Sequence, residues 1–199
     1  MAQVTISTST GADGVAPAVN ATWSTVRNAA TGTTGQATFL DRNDGGNYQI
    51  GRYFTFFDLG VANIPATATI TAITFVFPVI ASLQNADSDS LVLTAHTAAD
   101  PPVDASFNDI TLDSPTSFGT KTFATLSTSD PTNITMTADA VTAAQAALGG
   151  IWKVCIRGNR DVTDAAPTGL NQFGFTLDDC DIIVTYTLPA SGGSYSYFM

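Results

Sequence analysis

The side chains able to do chemistry in this chain are nearly all aspartates. All 17 acidic residues are Asp, and a single histidine, His96, with two cysteines, Cys155 and Cys180, completes the reactive set. One histidine cannot build a multi-histidine metal site within the chain. His96 ends an alternating run in Ala95-His96-Thr97 and reads as an exposed strand residue rather than as the base of a triad. No G-x-S-x-G, phosphate-binding loop, H-E-x-x-H or paired C-x-x-C motif occurs. Catalysis would therefore rest on carboxylates alone. Asp87 with Asp89, and Asp178 with Asp179 and Asp181, could supply the acid and the base or nucleophile of glycoside hydrolysis. Both groups sit at strand boundaries, where Asp is expected for turn formation, so the chain reads as a non-enzyme. The same oxygens are hard donors of the kind Ca²⁺ prefers, which makes Asp87, Asp89, Asp178 and Asp181 candidate calcium ligands. Asp41, Asn43 and Asp44 form a third polar cluster. None of the three has the spacing of a recognised calcium loop, and no cofactor is expected beyond that ion.

The elements that would position these groups are strands. Absence of Glu, abundant Thr, 16 Gly and 9 Pro describe extended segments joined by tight turns. Gln3 to Ser7 reads as a first strand, Ala37 to Leu40 as a short one, and Asp41 to Asn47 as a turn. In Arg52 to Asp58, Phe54 and Phe56 share the phase assigned to the core, which places Tyr53 and Phe57 on an unusually aromatic outer face. Ile73, Phe75 and Phe77 continue in one phase, as do Leu91 and Leu93, Trp152 and Val154, and Ile182 and Val184. Further strands are expected at Thr120 to Leu126 and Phe173 to Thr176. Ala138 to Leu148 is the one expected helix, capped by Thr137 and closed by Gly149-Gly150. The whole predicts an all-β, antiparallel, jelly-roll-like β-sandwich with one short helix and a single core. Residues 1–188 would form one domain, and 189–199 a Gly/Ser linker with an aromatic tail.

The run R-x-F-x-F-D, then Ile64-Pro65, then the alternating segment through Phe77, together with the closing strand DIIVTYTL, resembles the modules named after a DNRLRE motif. These are jelly-roll sandwiches akin to carbohydrate-binding modules, and the likeness extends from about Val4 to Leu188. It implies a binding or structural module. Aromatic platforms for a sugar ring would be Trp23, Tyr53 and Phe57.

A net charge of −10 with seven basic residues argues against a nucleic-acid surface. Lys153, Arg157 and Arg160 lie close together but read as a solvated face. No run of about 18 apolar residues occurs, so membrane insertion is not expected. The start MAQVTISTSTGADG carries no secretory signal pattern, and Cys155 and Cys180 fall on opposite strand phases, which predicts free thiols and folding in a reducing compartment. Beyond the linker, Tyr195, Tyr197, Phe198 and Met199 form an apolar cluster suited to a partner surface. These features resemble tailed-phage virion proteins. The expectation is a virion structural protein, a capsid decoration, head-fibre or tail-associated component, made in the host cytoplasm without a signal peptide and displayed on the virion surface. Its partners would be other virion proteins and copies of itself. The alternative is a carbohydrate-binding module or receptor-binding domain recognising a surface polysaccharide.

Overall fold

The computed structural model describes residues 1–9, 12–35, 39–85, 89–174 and 179–189. Strands β1 (Ala2–Ser7), β2 (Asp13–Ala16), β3 (Thr33–Thr34), β4 (Phe39–Asp44), β5 (Asn47–Ile50), β6 (Arg52–Asp58) and β7 (Thr69–Phe77) precede the chain midpoint. After it come β8 (Ser82–Asn85), β9 (Ser90–Ala95), β10 (Ser117–Thr122), β11 (Thr132–Thr135), β12 (Ile151–Gly158), β13 (Leu170–Gly174) and β14 (Asp181–Thr187). They form three antiparallel sheets, ordered β1-β14-β7-β11, β10-β9-β12-β6-β2-β3 and β5-β4-β13-β8. The expected all-β sandwich with a short helix is what the chain forms.

The first two sheets face each other across the main core. From one side come Ile73 and Phe75 of β7 and Ile182 and Val184 of β14; from the other come Leu91 and Leu93 of β9 and Trp152 and Val154 of β12. Alternation in β7 and β14 leaves Thr74, Thr185 and their neighbours on the outside, as the period of two requires. Between Thr185 and Tyr186 the register shifts, and this irregularity lets both Ile70 and Ile73 point inward.

Strand β6 departs from the expected arrangement. All of Arg52 to Phe57 is buried, because the second sheet is covered on both faces. Tyr53 and Phe57 belong to the main core, whereas Phe54 and Phe56 face away from it into a second cluster with Val15, Trp23, Val26, Ile50, Phe107 and Cys155. The phase assignment for this strand is therefore reversed, and there are two cores, not one. Short helix α1 (Trp23–Arg27), a 3₁₀ turn at Asp104–Asn108 and the Tyr48 ring cover the second cluster.

Other expected elements hold with shifted limits. The Asp41 to Asn47 turn is a hairpin whose Gly45 and Gly46 adopt φ of 59° and 87° between β4 and β5. The Thr120 to Leu126 segment divides into β10 and a 3₁₀ turn at Phe123–Thr125. Helix α2 (Ala138–Ala146) begins at Thr137, whose hydroxyl accepts from Ala140 N and donates to Ser117 O. Beyond it Gly149 has φ of 86°, the left-handed geometry that ends a helix at low cost in glycine. A third short helix, α3 (Asn159–Thr163), follows β12 directly.

Candidate functional site

Three guanidinium groups meet one carboxylate inside the second layer. Asp161 of α3 is fully buried and accepts a two-point contact from Arg52, with Nε to Oδ2 and Nη2 to Oδ1 both at 2.8 Å. Arg157 Nε also donates to Asp161 Oδ2 at 2.8 Å, across an i,i+4 spacing. Arg27 Nε donates to the Asp161 carbonyl at 2.8 Å. Burial by itself would raise the Asp161 pKa, but the Arg52 and Arg157 guanidiniums outweigh it and hold the group at about 2. Remaining guanidinium hydrogens go to backbone carbonyls: Arg52 to Phe107 and Arg27, Arg157 to Thr111 and Leu112, and Arg27 to Leu112. Arg52 also lies over the Phe107 ring at 3.9 Å. Every strong bond in this node ends on β6, β12, α1, α3 or the segment from Phe107 to Asp113, so its physical effect is to fix that segment against the sheet.

A cleft runs beside the fixed segment. One part, of about 430 Å³, lies between α2 and Thr111 to Phe118, with Thr116, Asp139, Thr142 and Ala143 in its walls. A second part, of about 230 Å³, is lined by His96, Thr97, Asn108, Asp109 and Ile110, and shares Ala95 and Thr111 with the first. Thr137 N donates to Phe118 O and Thr97 N to Asp109 O, so both walls are tied to the sheet by backbone bonds.

His96 corrects the sequence reading. It is 6% exposed and wedged edge-on against the Phe54 and Phe56 rings, each with a centroid separation of 5.0 Å. Its Nε2 is 3.1 Å from the Thr55 carbonyl oxygen. A carbonyl only accepts, so Nε2 carries the proton and Nδ1 presents a lone pair. That Nδ1 is buried without a hydrogen-bond partner. Burial lowers the His96 pKa to about 4, against the opposing bond to Thr55 and with help from the Lys153 charge, so the ring is neutral near pH 7.

The anticipated sugar platform is not on the surface. Tyr53 and Phe57 are fully buried, and Trp23 is 9% exposed, with Nε1 donating to Asp164 and its ring edge-on to Tyr48. All three are needed as core. Arg157 is likewise no solvated residue, and Lys153 donates to Ala98 O at 2.7 Å.

Of the candidate calcium ligands, Asp87 and Asp178 lie outside the described residues, as do Tyr195, Tyr197, Phe198 and Met199 of the tail. Asp89 is buried and, with Asp41, approaches Gly158 so closely that a Cβ there would overlap the Asp41 carboxylate. Asn171 Nδ2 donates to Asp41 Oδ1 at 2.7 Å. Asp181 stands elsewhere, beside Val76, Val79 and Pro131 in a surface dent of about 270 Å³. Asp89 and Asp181 are therefore not brought together, and among the described residues no three His, Cys, Asp or Glu side chains gather around a point that could hold a metal. Cys155 lies in the second core and Cys180 in the main one, both buried and not joined in a disulfide, in accord with their opposite phases. Burial pushes the Cys155 thiol up to about 12, which leaves it unreactive.

The node had one sequence signal. Arg52 shares the phase of Phe54 and Phe56, and a charge in step with two phenylalanines demands a buried partner. Comparison with protein-family models and with curated proteins finds no match to this chain. No helix among the described residues is long and apolar enough to cross a membrane.

Proposed function

We propose that this protein is a non-catalytic virion structural component, a decoration, head-fibre or tail-associated subunit that acts through protein–protein contacts. The observation that supports this reading best is the outer face of the β1-β14-β7-β11 sheet. Across it Thr5, Ile183, Thr74 and Thr135 form one row, and Ser7, Asp181, Val76 and Asn133 the next. On a chain of net charge −10, the outward residues of these four strands include one ionisable group, Asp181. Copies of so acidic a protein repel one another wherever aspartates meet, and a sheet face whose one ionisable group is Asp181 is where they can approach with least of that cost. The dent at its Asp181 end is lined by Val76, Pro78, Val79 and Pro131 together with Asp179 and Asp181, so its apolar surface is bordered by charge. At the other end of β14 the chain reaches Leu188, which is 59% exposed, and continues toward the aromatic residues Tyr195, Tyr197 and Phe198.

Two variants test the reading. Thr74→Asp with Thr135→Asp places charge on the face without touching the core, and removal of residues after Pro189 takes away the aromatic anchors. Each is expected to remain folded while self-association and incorporation into particles fall, measured by sedimentation and by a mass-spectrometric inventory of purified virions. Unchanged assembly by both variants overturns the proposal.

A further inference from the structure

Strand β1 is a sheet edge without the devices that guard the others. It borders β14 on one side, and among the described residues no strand lies on the other. Edges are ordinarily kept from pairing by shortness, charge, proline or a bulge. The edge strands β3, β5, β8 and β11 have four residues or fewer, and β10 carries Lys121 and a register shift between Ser117 and Gly119. Strand β1 is six residues long, AQVTIS, with no charge and no proline, in unbroken register with β14. Which backbone groups it offers follows from one bond. Thr8 N donates to Cys180 O at 2.9 Å, and this pair continues the register in which Ile6 faces Ile182 and Val4 faces Val184. In an antiparallel ladder, residues that exchange bonds with one neighbour alternate with residues whose N–H and C=O point the other way. Val4 and Ile6 therefore bond to β14, while Gln3, Thr5 and Ser7 turn their backbone groups outward. Ser9, next in that series, also turns from β14 and donates its N–H to Phe56 O. For Gln3, Thr5 and Ser7 no such backbone partner occurs among the described residues.

The occupant that fits this edge is the same strand of a second copy. With Thr5 opposite Thr5 across a two-fold axis, Gln3 meets Ser7 of the other chain, and every outward N–H and C=O on both strands is paired. The same register matches the faces. Val4 meets Ile6 on the inner side, where both already pack on the main core, and Thr5 meets Thr5 on the outer side, a favourable cross-strand pair. Charge is matched as well. The outer row across the seam runs Asp181, Ser7, then Gln3 and Thr185 of the second copy, so neither Asp181 faces a like charge although each chain carries −10. We propose that two copies of this chain pair antiparallel along their β1 edges with Thr5 on the axis, joining two four-stranded sheets into one continuous sheet. A contact of this symmetry closes on itself. It leaves the outer faces free and does not depend on what they contact.

The experiment is sedimentation of the full chain from about 5 µM to about 500 µM, with amide hydrogen exchange followed at both ends of that range. A monomer–dimer equilibrium is expected. The amides of Gln3, Thr5 and Ser7 should exchange at least about tenfold more slowly at the high end, while Val4 and Ile6, bonded to β14, are protected throughout. Thr5 is exposed, so Thr5→Lys and Thr5→Asp should each fold with an unchanged far-ultraviolet spectrum. Each puts like charges on the axis and should weaken the dimer at least about tenfold. Mixing the two variants one to one should restore it, because Lys then stands opposite Asp. The outer-face variant Thr74→Asp with Thr135→Asp, and the chain ending at Pro189, should remain dimers even where larger assemblies are lost, which separates this seam from the contacts of the face and the tail. The proposal is overturned if the unaltered chain stays monomeric, if it dimerises without protecting Gln3, Thr5 and Ser7, or if either Thr5 variant alone dimerises as before. It is equally overturned if the mixture stays monomeric, or if truncation at Pro189 abolishes the dimer, which would make the tail the occupant of the edge.

Discussion

Asp161 is the residue on which most of the buried charge depends. Replacing it by Asn leaves Arg52 and Arg157, both fully buried, without their anion, and the expected loss is about 3–5 kcal/mol, read by urea unfolding. Its pKa of about 2 in the folded chain lies below the ordinary 3.8. The bonus from its ionisation is thus complete above that ordinary value and is lost as pH falls through about 2, a contribution of about 2 kcal/mol. His96 acts in the neighbouring window. Its folded value of about 4 lies below 6.5, so between those limits the unfolded chain binds a proton that the folded chain refuses. Stability should fall as pH drops from 6.5 toward 4, by about 3 kcal/mol, and level off below that. Thr55 O, the Phe54 and Phe56 rings and the Lys153 ammonium surround the imidazole, and none of them can stabilise the cation enough to reverse this sign. Melting temperature against pH is expected to show both steps, and His96→Gln should erase only the one nearer neutrality.

Strand β6 carries the clearest test at the level of elements. Phe57→Ala is expected to cost about 3–5 kcal/mol because the ring packs edge-on against Phe75 at 5.9 Å and touches Trp152 within the main core. An outward aromatic would lose about 0.5 kcal/mol or less on the same change, so chemical denaturation distinguishes the two placements directly. Gly158→Ala at the end of β12 should also destabilise, since the new methyl overlaps the Asp41 carboxylate. Strands β7, β9, β12 and β14 could be read from alternation because each shows a clear apolar phase. Alternation in β6 says only that Phe54 and Phe56 lie opposite Tyr53 and Phe57; with aromatic side chains on both faces, it cannot say which face meets which core. The deciding fact is the partner of Arg52, and Asp161 lies 109 residues further on. Distance along the chain also hid the burial of His96 and Trp23: His96 packs on Phe54 and Phe56 and is bridged to Ile110, and Trp23 meets Tyr48 and Asp164. The helix α2, by contrast, was legible because cap, Ala-rich body and terminating glycines are all local.

For the molecule as a whole, the paired ends set the terms. Strand β1 bonds along its length to β14, with Val4 opposite Val184 and Ile6 opposite Ile182, and β14 separates β1 from β7 in the first sheet. The node joins Arg27 to Asp161 across 134 residues, so neither core is complete without late parts of the chain. Such non-local pairing is the mark of slow folding. It has a particular meaning on the ribosome, where synthesis proceeds at about 5–20 residues per second. Until the last strand emerges, β1 has no partner and the Ile73 and Phe75 side of β7 has no neighbour on its β14 edge. Until Asp181–Thr187 has been made, the nascent chain therefore carries an open sheet edge. Ribosome-bound chains stalled before Asp181 are expected to remain protease-sensitive and to recruit chaperones, whereas chains released beyond Leu188 should become resistant in one step.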